Sequence, residues 1–267
     1  MKMRKIFVVL LALAMLLTIV SCSSNNKGDN DTGTNDSTGD DIDTSIVPEN
    51  DYTFSIKEEI VVVHETEDGR KSTKVLRYPE ISGMSDSALQ DSINASFRSV
   101  AEKQFVLNVP DVDIYIIEDT LFNYEVSNVE VTFLSNSFMS VKNTVYSMTS
   151  VSEYPECPVY TVNISLESGE IIDEDEIFAD FNSIASMFLL GDFSMVYGME
   201  DLLSQTNYED MILQYKSDYA SYPNVYFTPD EFVICIDLVA ALQSSAGFSC
   251  PIENVAQYLN VNPVSAD

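Results

Sequence analysis

The chain has 267 residues, with 13 Lys and Arg against 43 Asp and Glu, and a formal charge of −30 at neutral pH. Such an excess of negative charge opposes binding to nucleic acid and to anionic lipid, both polyanions, and favours cationic partners, whether proteins, peptides or metal ions. At 45% hydrophobic residues, a chain of this length can bury a substantial core as one large domain or two small ones.

Lys2, Arg4 and Lys5 precede an apolar run from Ile6 to Val20 that only Thr18 interrupts, and Ser21-Cys22 follows. The run is too short for a comfortable transmembrane helix, which needs about 20 residues. A basic head, a short apolar segment and a small residue before cysteine predict a bacterial lipoprotein signal at 1–21, with Cys22 as the lipid-bearing mature N-terminus. The expected location is the cell membrane, outside the cytoplasm, with the lipid as the membrane contact. Residues 22–50 are rich in Ser, Asn, Asp, Gly and Thr and hold no aromatic residue. They cannot bury enough apolar surface to offset their ordering entropy, so a disordered acidic tether is expected. Its mean span is about 30 Å.

The folded region is expected over 51–267 as a single compact domain, with two subdomains near 52–110 and 111–260 as the alternative. Tyr52 to His64 reads as a strand, Glu67–Arg70 as a turn and Ser72 to Tyr78 as a returning strand closed by Pro79. Ser85 is placed to cap a helix whose apolar residues, Leu89, Ile93, Phe97, Val100, Ala101 and Phe105, recur at helical spacing. Strands are then predicted at Asp113–Ile117, Leu121–Leu134, Phe138–Thr149 and Val159–Leu166. Helical texture follows at Asp173–Phe178, Phe181–Leu190 and Met199–Tyr219, with Gly191 and Gly198 as breaks. Asn224–Phe227 and Glu231–Leu238 resume as strands, and Ile252–Leu259 reads as a closing helix. Blocks of helix between antiparallel strands predict an α+β fold, an antiparallel sheet with helices packed on it.

Few residues carry recognisable chemistry. His64 is the single histidine, which excludes zinc sites needing two or three imidazoles, and no G-x-S-x-G accompanies it. Neither a P-loop nor G-x-G-x-x-G occurs, so no cofactor is expected. Cys157, Cys235 and Cys250 show no zinc spacing. Cys235 and Cys250 could form a disulfide on neighbouring strands, or all three could stay as buried thiols. The run Asp173-Glu174-Asp175-Glu176 offers Asp173, Asp175 and Glu176 as calcium ligands; the competing reading is a helix start, where acids complement the dipole. No catalytic residue can be named.

Tyr78-Pro79-Glu80-Ile81-Ser82-Gly83-Met84 with the helix after it, Asn163–Gly169 running into Ile171–Phe178, and Val225–Asp230 through Ala246-Gly247-Phe248 occur in a recognisable order. Together they resemble a bacterial extracytoplasmic domain of unknown function (DUF3298/DUF4163-like). That domain is shared by the sensor regions of RsiV-like anti-sigma factors and the N-terminal part of PdaC-like peptidoglycan deacetylases. The resemblance spans roughly residues 52–260 and implies closing strands with an Ala-Gly turn. Many relatives carry a Gly-Gly-Ala-His segment where this chain has Glu153-Tyr-Pro-Glu-Cys-Pro158. The resemblance also implies that some relatives recognise lysozyme, a basic protein. Three readings follow: a non-enzymatic envelope domain that binds or senses a basic protein or cell-wall component, a cell-wall hydrolase using carboxylates, and a structural envelope lipoprotein.

Overall fold

The computed structural model describes residues 52–118, 120–198, 208–217, 222–239, 242 and 244–261. The predicted leader, Cys22 and the whole of the predicted tether lie outside them. Two sheets and six α-helices among the described residues make the α+β fold that the order of blocks predicts.

Strands β1 (Thr53–Glu65) and β2 (Lys71–Ser82) form an antiparallel hairpin whose turn places Gly69 at φ 84°, a conformation glycine adopts without steric cost. β2 runs through Pro79 instead of ending there. Beyond its short parallel pairing with β3 at Thr73–Val75, β2 pairs with no strand but β1, so a residue lacking an N–H is tolerated on the side without a neighbouring strand. Helix α1 (Ser87–Asn108) is capped by Asp86, not Ser85. The Asp86 carboxylate accepts from the Ala88 and Leu89 amides at 3.0 Å each.

Asp113–Ile117, predicted as a strand, lies in helix α2 (Val112–Ile117). Pro110 and Asp111 are helix-start residues, and the Tyr115 ring packs 6.2 Å from Phe122. Tertiary packing and a start signal outweigh the β-branched composition of so short a run. Strands β3 (Phe122–Leu134), β4 (Phe138–Thr149) and β5 (Val159–Ser165) then form the predicted meander and complete a sheet ordered β1-β2-β3-β4-β5.

Two short helices follow, α3 (Glu174–Ile177) and α4 (Phe181–Leu189). Between Gly191 and Gly198 the chain forms strand β6 (Ser194–Tyr197), which the sequence reading left as breaks. Helix α5 (Tyr208–Ser217) covers part of the predicted 199–219 helix; residues 199–207 and 218–219 lie outside the described set. Strands β7 (Asn224–Phe227), β8 (Glu231–Asp237) and β9 (Ser245–Pro251) join β6 in a second sheet ordered β6-β9-β8-β7. The predicted closing helix is helix α6 (Ile252–Val255) and a 3-10 turn at Ala256–Tyr258.

Side-chain alternation dictates the layers. On one face of the first sheet Leu76, Tyr124, Met139, Val141 and Ile164 bury against Ile93, Phe97 and Phe105 of α1. On the second sheet Val225, Phe227, Phe232 and Ile234 pack with Ile184 and Phe188 of α4 and Ile212 of α5. The intervening residues Tyr226, Val233 and Cys235 point the other way, onto Val159 of β5. The two sheets therefore stack between helices.

Candidate functional site

Of the residues singled out from sequence, Cys22 lies outside the described residues. Asp173, Asp175 and Glu176 are exposed at the start of α3. The Glu176 Oε2 accepts from the Asp173 amide at 3.1 Å, and the Glu176 amide donates to the Asp173 carbonyl at 3.0 Å. With the Asp173 side chain set against the Glu176 amide as well, this is a capping box, which uses the acids to start a helix. Partial burial raises the Glu174 carboxyl above its ordinary range. Among the described residues no three His, Cys, Asp or Glu side chains converge as a metal site. His64 sits beside a bulge in β1, opposite Ser72.

Cys235 and Cys250 are on neighbouring strands, as the disulfide reading requires, yet their register excludes the bond. Cys235 pairs with Gly247, and Cys250 with Phe232. Three residues of offset put one thiol between the sheets and the other among the helices. Both remain thiols, and burial pushes each up to about 12. A thiol held protonated at neutral pH is a poor nucleophile.

The sequence reading missed a polar seam between the sheets. Lys142 of β4 points into it. Its ammonium lies 2.5 Å from a Glu130 oxygen, 5.4 Å from the Tyr226 ring centre and 5.9 Å from that of Tyr197. Cation–π attraction and the carboxylate hold the charge there. The Thr161 hydroxyl is buried nearby with no hydrogen-bond partner among the described residues, and the Tyr197 hydroxyl is buried beside the Cys235 thiol and Ser245. Burial, then the adjoining Cys235, drives the Tyr197 phenol far above its ordinary range. Gly247 lies directly under that ring: a Cβ there would stand 2.0 Å from Tyr197 Cε1. Ala246-Gly247-Phe248 is thus part of β9 and not a turn, and its glycine makes room for an aromatic residue on the paired strand. The signal for this seam was the polar alternation of Ser140, Lys142 and Thr144, which reads as a solvent face when no second sheet is anticipated.

Beside the seam the sheets are fastened by hydrogen bonds. Asn163 of β5 donates from Nδ2 to the Val225 carbonyl at 2.8 Å and accepts from Ser140 Oγ at 2.8 Å. Ser140 Oγ in turn accepts from the Phe227 amide at 3.1 Å. All these groups are buried, so each bond replaces a partner that water cannot supply.

The outer surface is governed by charge. On the first sheet and α1, Lys57, Lys74, Arg77 and Arg98 pair with Glu80, Glu102, Glu58 with Glu125, and Glu59 respectively. At the hairpin turn Arg70 and Lys71 pair with Asp68 and Glu65. From residue 143 onward the chain holds 20 Asp and Glu and one base, Lys216. Glu153, Glu167, Asp180, Asp192, Glu209 and Glu253 are among the exposed acids of that half. Seven bases are thus paired with carboxylates where they stand, Lys142 with Glu130 among them, and the exposed acids of the later half face solvent.

No family model matches the chain, and no curated protein matches it either. Solved structures do. A DUF3298 family protein from Pseudomonas aeruginosa is similar at a TM-score of 0.49 and 7% identity over 79% of this chain and 95% of that one. A DUF3298 family member from Bacteroides fragilis is similar at a TM-score of 0.50 and 13% identity, over 80% of this chain and 95% of that one, so this chain has a DUF3298-like fold.

Proposed function

We propose that this chain is a non-enzymatic binding or sensing domain, lipid-anchored through Cys22 on the outer side of the cell membrane, whose partner is a cationic protein; lysozyme is one such protein. The observation that carries the proposal is the charge distribution: 20 acids against one base from residue 143 onward, with Lys57, Lys74, Arg77 and Arg98 tied to carboxylates of the first sheet and α1. A surface of one sign accelerates the approach of an oppositely charged partner and repels like-charged ones. The acidic run at α3 belongs to this surface as charge, since its geometry is that of a cap. The buried thiols and the inter-sheet Lys142 act in packing.

The test is calorimetric titration of the purified chain with lysozyme, and with an acidic protein of similar size as control, at low and at physiological ionic strength. Binding of lysozyme that weakens as salt rises, with no binding of the control, supports the proposal. No heat from lysozyme at low salt removes it as a partner.

A further inference from the structure

We propose that one end of the first sheet, where the last turns of α1, helix α2 and the loop after β4 meet, is the docking surface, and that it takes a cationic amphipathic segment of the partner. The proposal rests on the cationic-partner reading and gives that partner a place and a second chemical requirement.

Exposed large apolar side chains gather at this end. Val106 and Leu107 on α1 are 59% and 58% exposed, Ile117 on α2 is 83% exposed and Val151 after β4 is 77% exposed. Ile114 is exposed as well, three positions before Ile117 and therefore on the same side of α2. Single exposed apolar residues are ordinary, whereas a concentration of them marks an interaction surface.

The pieces are joined, not merely near in sequence. The Thr120 amide donates to the Tyr115 carbonyl at 2.8 Å and the Ser150 amide to the Leu121 carbonyl at 2.7 Å. Together with the Tyr115–Phe122 ring contact, these bonds fix α2 and the loop around the start of β3.

Charge decides the occupant. Residues 104–118 and 149–158 contain no Lys or Arg, while Asp111, Asp113, Glu118, Glu153 and Glu156 stand exposed among the apolar groups. A second copy of this chain would bring the same carboxylates into contact. An anionic lipid surface would meet them with its own charge. A segment with apolar residues on one face and Lys or Arg beside them satisfies both features, burying apolar area while pairing the rim.

The test uses the full chain and two synthetic peptides of identical lysine and leucine composition. One gathers its leucines on a single helical face and the other scatters them. Binding is read by fluorescence anisotropy at low salt. The amphipathic peptide is expected to bind at least about tenfold more tightly than the scattered one, and the I114S/I117S double variant to lose that advantage. Val239→Ser, at an exposed apolar residue elsewhere, is expected to bind like the unaltered chain. Both changes lie on the surface, so unchanged melting curves confirm intact folds. Equal binding of the two peptides, or a double variant that keeps the preference, overturns the docking surface while leaving the charge-based reading standing. Failure of both peptides to bind the unaltered chain overturns both. Sedimentation of the unlipidated mature chain with anionic vesicles, abolished in the I114S/I117S variant, would reassign the surface to lipid and overturn the proposal.

Discussion

Replacing Asn163 with Ala should loosen the stacking of the two sheets. The side chain is 2% exposed, and its amide links β5 to the Val225 carbonyl and to Ser140, each at 2.8 Å. Truncation leaves the Val225 carbonyl without that donor and the Ser140 hydroxyl without its acceptor, in a place shielded from solvent. A buried polar group stripped of its partner costs about 1–3 kcal/mol, so the two together predict a loss of roughly 2–6 kcal/mol. For a folded region of this size, at about 2–4 °C per kcal/mol, that corresponds to a Tm lower by roughly 4–24 °C. Urea unfolding followed by far-ultraviolet circular dichroism measures the loss directly, with the slope m unchanged if the folded and unfolded states keep their compactness. Because Ser140 and Asn163 share a network, the S140A/N163A double variant should lose less than the two single losses added together. A loss below about 0.5 kcal/mol for Asn163→Ala, or strict additivity in the double variant, would refute the fastening role assigned to these residues.

Gly247→Ala should displace the Tyr197 ring, because no Cβ fits 2.0 Å from Cε1. Its near-ultraviolet dichroism should change, and adding the substitution to Tyr197→Ala should cost little more than Tyr197→Ala alone. A silent Gly247→Ala variant would contradict the contact. Stability should fall at high pH. The unfolded Cys235 thiol ionises near about 8.5 while burial holds the folded one up to about 12. The native state therefore binds the extra proton in between, and stability is full below the lower value and is lost as pH climbs toward the upper one. Between about pH 8.5 and 10, below the ordinary phenol range, Cys235→Ala should flatten this decline in the urea midpoint; an unchanged slope would exclude the thiol as its source. Glu176→Ala should cost about 1 kcal/mol through loss of the reciprocal cap, and calcium should leave the melting temperature of the unaltered chain where it was. A calcium-dependent rise that Asp173→Ala or Glu176→Ala abolishes would return these acids to the role of ligands.

The periodicity of α1, the long apolar strands and the alternation of β7 with β8 carried enough information to fix the class of fold and most of its elements. Local patterns failed where tertiary packing decided the outcome. Val112–Ile117 has strand composition, and the start residues Pro110 and Asp111 together with the Tyr115 ring contact to Phe122 explain its helix. Ser194–Tyr197 is short and sits between glycines, so its pairing with β9 has no local signature. The seam around Lys142 was illegible for a related reason. A lysine alternating with buried valines reads as solvent-facing until a second sheet covers it, and no sequence rule places Tyr197 over Gly247 fifty residues later. Conversely, the acid run at 173–176 was conspicuous in sequence and ordinary in structure, where Glu176 closes back on the Asp173 amide. The net negative charge was plain from composition, but its concentration beyond residue 143 acquires meaning only with the first-sheet bases seen in their ion pairs.

Steering by the carboxylate excess is the central claim, and the association rate constant of lysozyme with the purified chain tests it most directly. Measured by stopped flow across a salt series, that constant should fall by at least about tenfold between low and physiological ionic strength, while the dissociation rate changes far less. An association rate that is indifferent to salt would contradict the account.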